Sequence, residues 1–166
     1  MNDLTYIDIE LAIANRFGYR QNIIVPNISW GLFANMEIDM LILSQAGYCT
    51  EIEIKMSNSD IRADAKKLHR KKASENNGVR HPLISRTFFA LPETLDIKHI
   101  PEWAGIITLE RGHYGQLTTR LIKGAKRNPN TRKITDEEKL KLLHLGCMRI
   151  WSLKEHNNKP FKRSVT

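Results

Sequence analysis

The run IDMLILSQAGYCTEIEIK, from Ile38 to Lys55, leaves a chain few ways to fold. Ile38, Met40 and Ile42 alternate with Glu37, Asp39 and Leu41, and Ile52 and Ile54 alternate with Glu51, Glu53 and Lys55. A period of two is the signature of strands. Between the runs, Gln45, Ala46 and Gly47 suit a three-residue hairpin loop with the glycine in the left-handed bulge position. Ser44 then pairs with Tyr48, Met40 faces Ile52 and Ile38 faces Ile54. The same register sets Asp39 opposite Glu53 and Glu37 opposite Lys55. A slip of one residue would turn the isoleucines to the wrong face, so burial favours this pairing as well. Directly opposed side chains have Cβ atoms about 4.5 to 5.5 Å apart, where like charges destabilise. Asp39 and Glu53 therefore need something to neutralise them.

Around this hairpin the pattern is α/β. Leu4, Ile7, Leu11 and Ala14 are spaced for the inner stripe of a helix over 4–17, with Glu10 beside the stripe and Gly18 as its stop. Ile23 to Val25 reads as a short strand that Pro26 ends. Ser57 with Asp60 has the form of a capping box for a helix whose inner face is Ile61, Ala65 and Leu68. Its other faces are basic, with Arg62, Lys66 and Arg70 at successive i, i+4 positions and Lys67 and Lys71 beside them. Strands are expected at RTFFAL from Arg86 and at AGIITL from Ala104, giving a sheet of about four or five strands, and a turn at GHYG leads into another near Leu117 to Ile122. GAKRNPNTRK reads as a mobile basic loop. Thr135 with Glu138 caps a last helix with Leu140, Leu143, Cys147 and Ile150 inward. The division expected is one domain over 1–155 and a flexible basic tail over 156–166.

The 166 residues suffice for one self-supporting core. Lys and Arg number 26 against 18 Asp and Glu, so the formal charge of +8 favours a polyanionic partner. Cys49 and Cys147 form no C-x-x-C pair, and no secretory leader or membrane-spanning run is apparent, which suggests a cytoplasmic protein with no membrane partner. The scattered histidines have no zinc spacing. Trp30, Trp103 and Trp151 read as packing residues, and Cys49 and Cys147 as buried thiols.

A divalent metal is the simplest answer to the opposed acids, since Mg²⁺ takes oxygen ligands and commonly one or two carboxylates. Lys55 lies on the same face as Glu53, roughly 6 to 7 Å along the strand, where a cation can orient water or offset charge growing on a phosphate. The implied reaction is phosphodiester hydrolysis. A bland reading stands beside each residue. Alternating charges on a strand are usually a solvated face, and Glu37 with Lys55 could be an ordinary ion pair. Glu51 reads as an acid behind the site or at the surface, Asp60 as a helix N-terminal acid and Asp64 with Lys66 as a structural pair.

Asp39 followed by Glu53-Ile54-Lys55 resembles the D…ExK signature of PD-(D/E)xK nucleases. The run EIKMSNSDIRADAK resembles the corresponding stretch of MmcB-type DNA repair proteins and their phage relatives, as do FFALPETL and IPEWAGIITLE. The likeness spans Glu37 to Glu110. It implies a restriction-endonuclease-like core, a mixed central sheet flanked by helices, and a Mg²⁺- or Mn²⁺-dependent DNA endonuclease of repair or of phage and mobile-element DNA processing. Asp39, Glu53 and the Ile54 carbonyl would be metal ligands, Lys55 the catalytic lysine, and Glu10 a further acid of the site. Ile38 stands where the motif has proline. Arg62, Lys66, Arg70, Lys126 and Arg127 would grip the DNA backbone. RNA is an alternative nucleic acid, and a nuclease-fold DNA-binding or assembly module without activity is the alternative function. A homodimer would suit cutting two strands, although no seam in the sequence specifies one.

Overall fold

The computed structural model describes residues 4–29, 32–33, 37–64, 80–112 and 115–158. In chain order the elements are α1 (Tyr6–Arg16), β1 (Ile23–Ile28), β2 (Ile38–Leu43), β3 (Cys49–Ile54), α2 (Asn58–Asp64), β4 (Ile84–Pro92), β5 (Gly105–Arg111), β6 (Leu117–Lys123) and α3 (Asp136–Asn157). The strands form one six-stranded sheet in sequence order. β3 pairs with β4, and β4 with β5, in parallel, and the remaining neighbours are antiparallel. This is an α/β fold with a mixed sheet flanked by helices, consistent with a restriction-endonuclease-like core.

The hairpin has the expected register. Met40 pairs with Ile52 and Leu43 with Cys49, and Gly47 takes the left-handed φ of 85° that closes the loop. Met40, Ile42, Ile52 and Ile54 pack with Ile9 and Ile13 of α1 on one side of the sheet. Leu41, Leu43 and Cys49 join Val25, Ile28 and Leu142 in another cluster, which places α3 across the opposite face near β1. A third cluster gathers Ile61 of α2 with Phe89, Leu91, Ile100, Ala104 and Ile106. Ile38 departs from the simple alternation. It packs with Ile28 in the α3 cluster rather than with Met40, beside the left-handed Asn27 of the paired strand, whose φ is 53°.

Several expectations need correction. The sheet has six strands, β6 among them, and β1 continues through Pro26 to Ile28 instead of ending there. An edge strand tolerates a proline, whose missing N–H need serve no second neighbour. The inner face of α1 is centred on Ile9 and Ile13, fully buried; of the expected stripe Leu4 and Ala14 pack against the same cluster, whereas Ile7 and Leu11 are exposed. Both faces satisfy a helical period, and the capping box of Thr5 and Asp8, together with the Arg16 bonds to Thr119 of β6, fixes the rotation that docks the first.

In α3 the buried residue is Leu142, with Leu145 packed against the same cluster. Leu140, Leu143, Cys147, Ile150 and Trp151 are exposed. The helix runs to Asn157, so the chain is helical beyond the expected boundary at 155, and 159–166 lie outside the described residues. The basic segment after β6 is not a free loop. Asn128 is fully buried and donates to the carbonyls of His81 and Ile84, while backbone bonds tie Lys126 to Trp103, Arg132 to Pro82 and Ile134 to Gly47.

Packing predicts how the two stripes of α1 differ. Ile13→Ala should cost about 2 to 5 kcal/mol in urea unfolding through the cavity left behind. Leu11→Ala should stay within about 0.5 kcal/mol of the parent chain.

Candidate active site

The candidate residues meet where β3 ends and α2 begins. Glu51, Glu53 and Lys55 lie in the interior of the molecule, exposed by only 4%, 1% and 3%. The expected solvated face is therefore absent at these positions, because the sheet carries helices on both sides. Lys55 is held by the β4 carbonyl of Ala90 through its backbone N–H, and its side chain turns toward α2. Its Nζ lies 3.2 Å from Glu53 Oε2, 3.6 Å from Asp64 Oδ1 and 3.9 Å from Asp60 Oδ1. The ring centroid of buried Phe89, beside Glu53 in the parallel register, is 6.0 Å from the ammonium. Glu37 is exposed, and the ion partners of Lys55 described here come from β3 and α2 instead.

Asp39 sits at the opening of the β2–β3 ladder, one residue before the Met40–Ile52 pair. Its Oδ2 accepts the Ile54 N–H at 2.7 Å, a side-chain bond beside the last backbone pair. The contact at Ile54 is thus through its amide. A charged acceptor on a backbone donor makes a short, strong bond, and it fixes the carboxylate beside the Glu53 strand.

α1 closes this end. Tyr6 shares a side-chain hydrogen bond with Asp39, and burial, aided by Asp39 and Glu10, pushes its phenol well above the usual range. The hydroxyl therefore stays protonated and donates to the carboxylate. Burial, and then the charge of Asp39, also raises the Glu10 carboxyl. Glu10 Oε1 is buried without a hydrogen-bond partner among the described residues. The structure thus brings Glu10, Asp39, Glu53 and Lys55 to one region, and it adds Tyr6 and Asp64. Tyr6 escaped the sequence reading because an aromatic at a helix start reads as packing. The sequence suggests a structural pair of Asp64 with Lys66, which lies outside the described residues, yet Asp64 is 2% exposed and faces Lys55.

The acids fit an oxygen-preferring divalent cation by chemistry, and the buried, unpartnered Glu10 oxygen beside Asp39 is the feature that suits one. Among the described residues, no group of three or more His, Cys, Asp or Glu is arranged to hold a metal. Glu51 belongs behind this region, accepting from Thr87 Oγ1 at 2.6 Å in the buried sheet.

Of the expected nucleic-acid contacts, Arg62, Lys126 and Arg127 lie among the described residues. Arg62 is exposed on α2, and Lys66 and Arg70 lie outside the described residues. Exposed Lys126 pairs with Glu102 at 2.9 Å, and the Arg127 guanidinium stands 4.9 Å from the centre of the Tyr48 ring. No helix among the described residues is long and apolar enough to cross a membrane.

A mixed α/β fold with a buried lysine and acid cluster at the end of its central parallel pair is thus the class that geometry defines. No protein-family model and no curated protein matches the chain. Among solved structures, the chain is similar to the "SPO1766 protein of unknown function from Silicibacter pomeroyi", with a TM-score of 0.59 and 15% sequence identity over 93% of this chain and 94% of that one. At that identity the likeness establishes a shared fold alone.

The raised Glu10 carboxyl makes a signed prediction. The folded chain holds this proton above the ordinary carboxyl value of 4.5, so the resulting stability is full below that value and is lost as pH rises through the folded one. Glu10→Gln should remove that loss. In urea unfolding across a pH series, the variant should gain on the parent chain as pH rises from below 4.5 toward neutrality.

Proposed function

We propose that the chain is a Mg²⁺- or Mn²⁺-dependent endonuclease of the PD-(D/E)xK type acting on DNA, in the manner implied by its resemblance to MmcB-type repair proteins and phage relatives. The observation that carries the reading is the buried Glu53–Lys55 pair beside an Asp39 held at the Ile54 amide. Buried ion pairs contribute little net stability, because desolvation offsets much of the attraction. A chain that keeps one at the end of a central strand, with Asp60 and Asp64 of α2 also facing the lysine, has the form of a reaction site.

Asp39 and Glu53, with Glu10 and the Ile54 carbonyl, are the residues that would hold the cation, which when bound supplies Lewis-acid polarisation of the phosphoryl oxygen and a more acidic water. Lys55 Nζ stands 3.2 Å from the Glu53 carboxylate, where it can orient the attacking water and offset negative charge growing on the phosphate. Asp60 and Asp64 aim the ammonium from α2. Tyr6 orients Asp39 by donating to it. Arg62, Lys66, Arg70, Lys126 and Arg127 would hold the backbone without reading sequence, so binding should weaken with salt.

A nuclease-fold DNA-binding or assembly module is the second reading. The ion pairs that Lys55 makes with Glu53 and Asp64 favour it, since they engage the lysine within the chain itself.

The test is nicking of supercoiled, branched and single-stranded DNA, with RNA alongside, in Mg²⁺ or Mn²⁺ and in EDTA. Asp39→Asn and Lys55→Met, checked for folding by circular dichroism, should each lower metal-dependent cleavage by about 100-fold or more. Cleavage indifferent to both changes sinks the assignment. DNA binding without cleavage, retained in Asp39→Asn, supports the module.

A further inference from the structure

α3 carries an apolar seam that the described residues leave open. Leu142 is fully buried, Leu145 packs beside it, and Gly146 lies against Val25 of β1. Arg149 anchors the same side by donating to the Asn27 carbonyl. About a third of a turn round the helix, Leu140, Leu143, Cys147 and Ile150 follow one another at spacings of three and four. Leu140 is 68% exposed and Ile150 54%, and Leu143 and Cys147 are exposed as well. These four positions have the three-and-four spacing of a coiled-coil seam, and Met148, Trp151 and Leu153 are exposed beside them. Every residue from 151 to 158 is exposed, so the final two turns project beyond the sheet and leave the seam accessible.

We propose that this seam is a homodimer interface, occupied by α3 of a second copy running antiparallel. Charge decides both the occupant and its direction. The heptad spacing that sets the four apolar positions extends to Asp136 at one end and Lys154 at the other. In an antiparallel pair, Leu140 packs on Ile150 of the second copy and Leu143 on its Cys147, and the next layer outward brings Asp136 to Lys154. The acidic first turn, Asp136, Glu137 and Glu138, thereby meets a basic last turn that includes Lys154 and His156. Parallel pairing would oppose Asp136 to Asp136 and Lys154 to Lys154. The contact is isologous and closes at two copies, as a two-fold interface must. It does not rest on the nuclease reading.

Sedimentation equilibrium of the full chain over a concentration series tests it. A monomer–dimer equilibrium is expected, with Leu143→Glu combined with Ile150→Glu giving monomer and an unchanged circular dichroism spectrum. Asp136→Lys should weaken the dimer roughly tenfold, and adding Lys154→Asp should restore it. This charge exchange keeps the test decisive if the double glutamate variant fails to fold. A chain that is monomeric throughout, or a dimer indifferent to these changes, overturns the proposal. So does a monomer that binds phosphatidylglycerol vesicles through the same leucines, which would make the occupant a membrane surface.

Discussion

A lysine folded into the interior is the constraint around which this molecule is arranged. Lys55 leaves β3 between a sheet and a helix, and an ammonium there must be met by carboxylates or forfeit several kcal/mol. Glu53 comes from the strand, and Asp60 and Asp64 come from successive turns of α2. The position of α2 is therefore tied to the charge. Ile61, on the same short helix, packs with Phe89 and Leu91, so the apolar and ionic contacts of α2 enforce one another.

This dependence explains why so much of the hairpin was legible. Period-two alternation and one glycine specify which residues oppose which, and of the acids that looked misplaced, Glu53 meets Lys55 and Asp39 is held at the neighbouring Ile54 amide. Tertiary docking was harder to read. α1 offers two apolar stripes, and choosing between Ile9 with Ile13 and Ile7 with Leu11 requires knowing where β6 receives Arg16. α3 was harder still, because its most regular stripe is the one facing away from the sheet. Regular spacing identifies a contact-forming face without saying whose contact it forms. The buried Asn128 was hidden for another reason, since a polar residue in a basic, glycine-containing run carries no local sign that three carbonyls await it.

The site was legible in its strand residues and obscure in its helical ones. Glu53 and Lys55 follow from strand alternation, and Asp39 follows from the register. Tyr6 and Asp64 reach the same region from helices far apart in sequence, where only the assembled fold sets distance. Their effect is one of placement. A neutral phenol donating to Asp39 and a carboxylate facing Lys55 narrow the orientations available to both groups.

Pro26 bears on how such a sheet meets its surroundings. β1 is an edge, and an intact edge offers an uninterrupted row of donors and acceptors to any passing strand. Here the row lacks a donor at Pro26, and the left-handed Asn27 beside it bends the backbone away from a regular ladder. An incoming chain would leave a carbonyl unmatched at the middle of its new strand. This border of the sheet is thereby guarded against open-ended strand addition of the kind that leads to fibres.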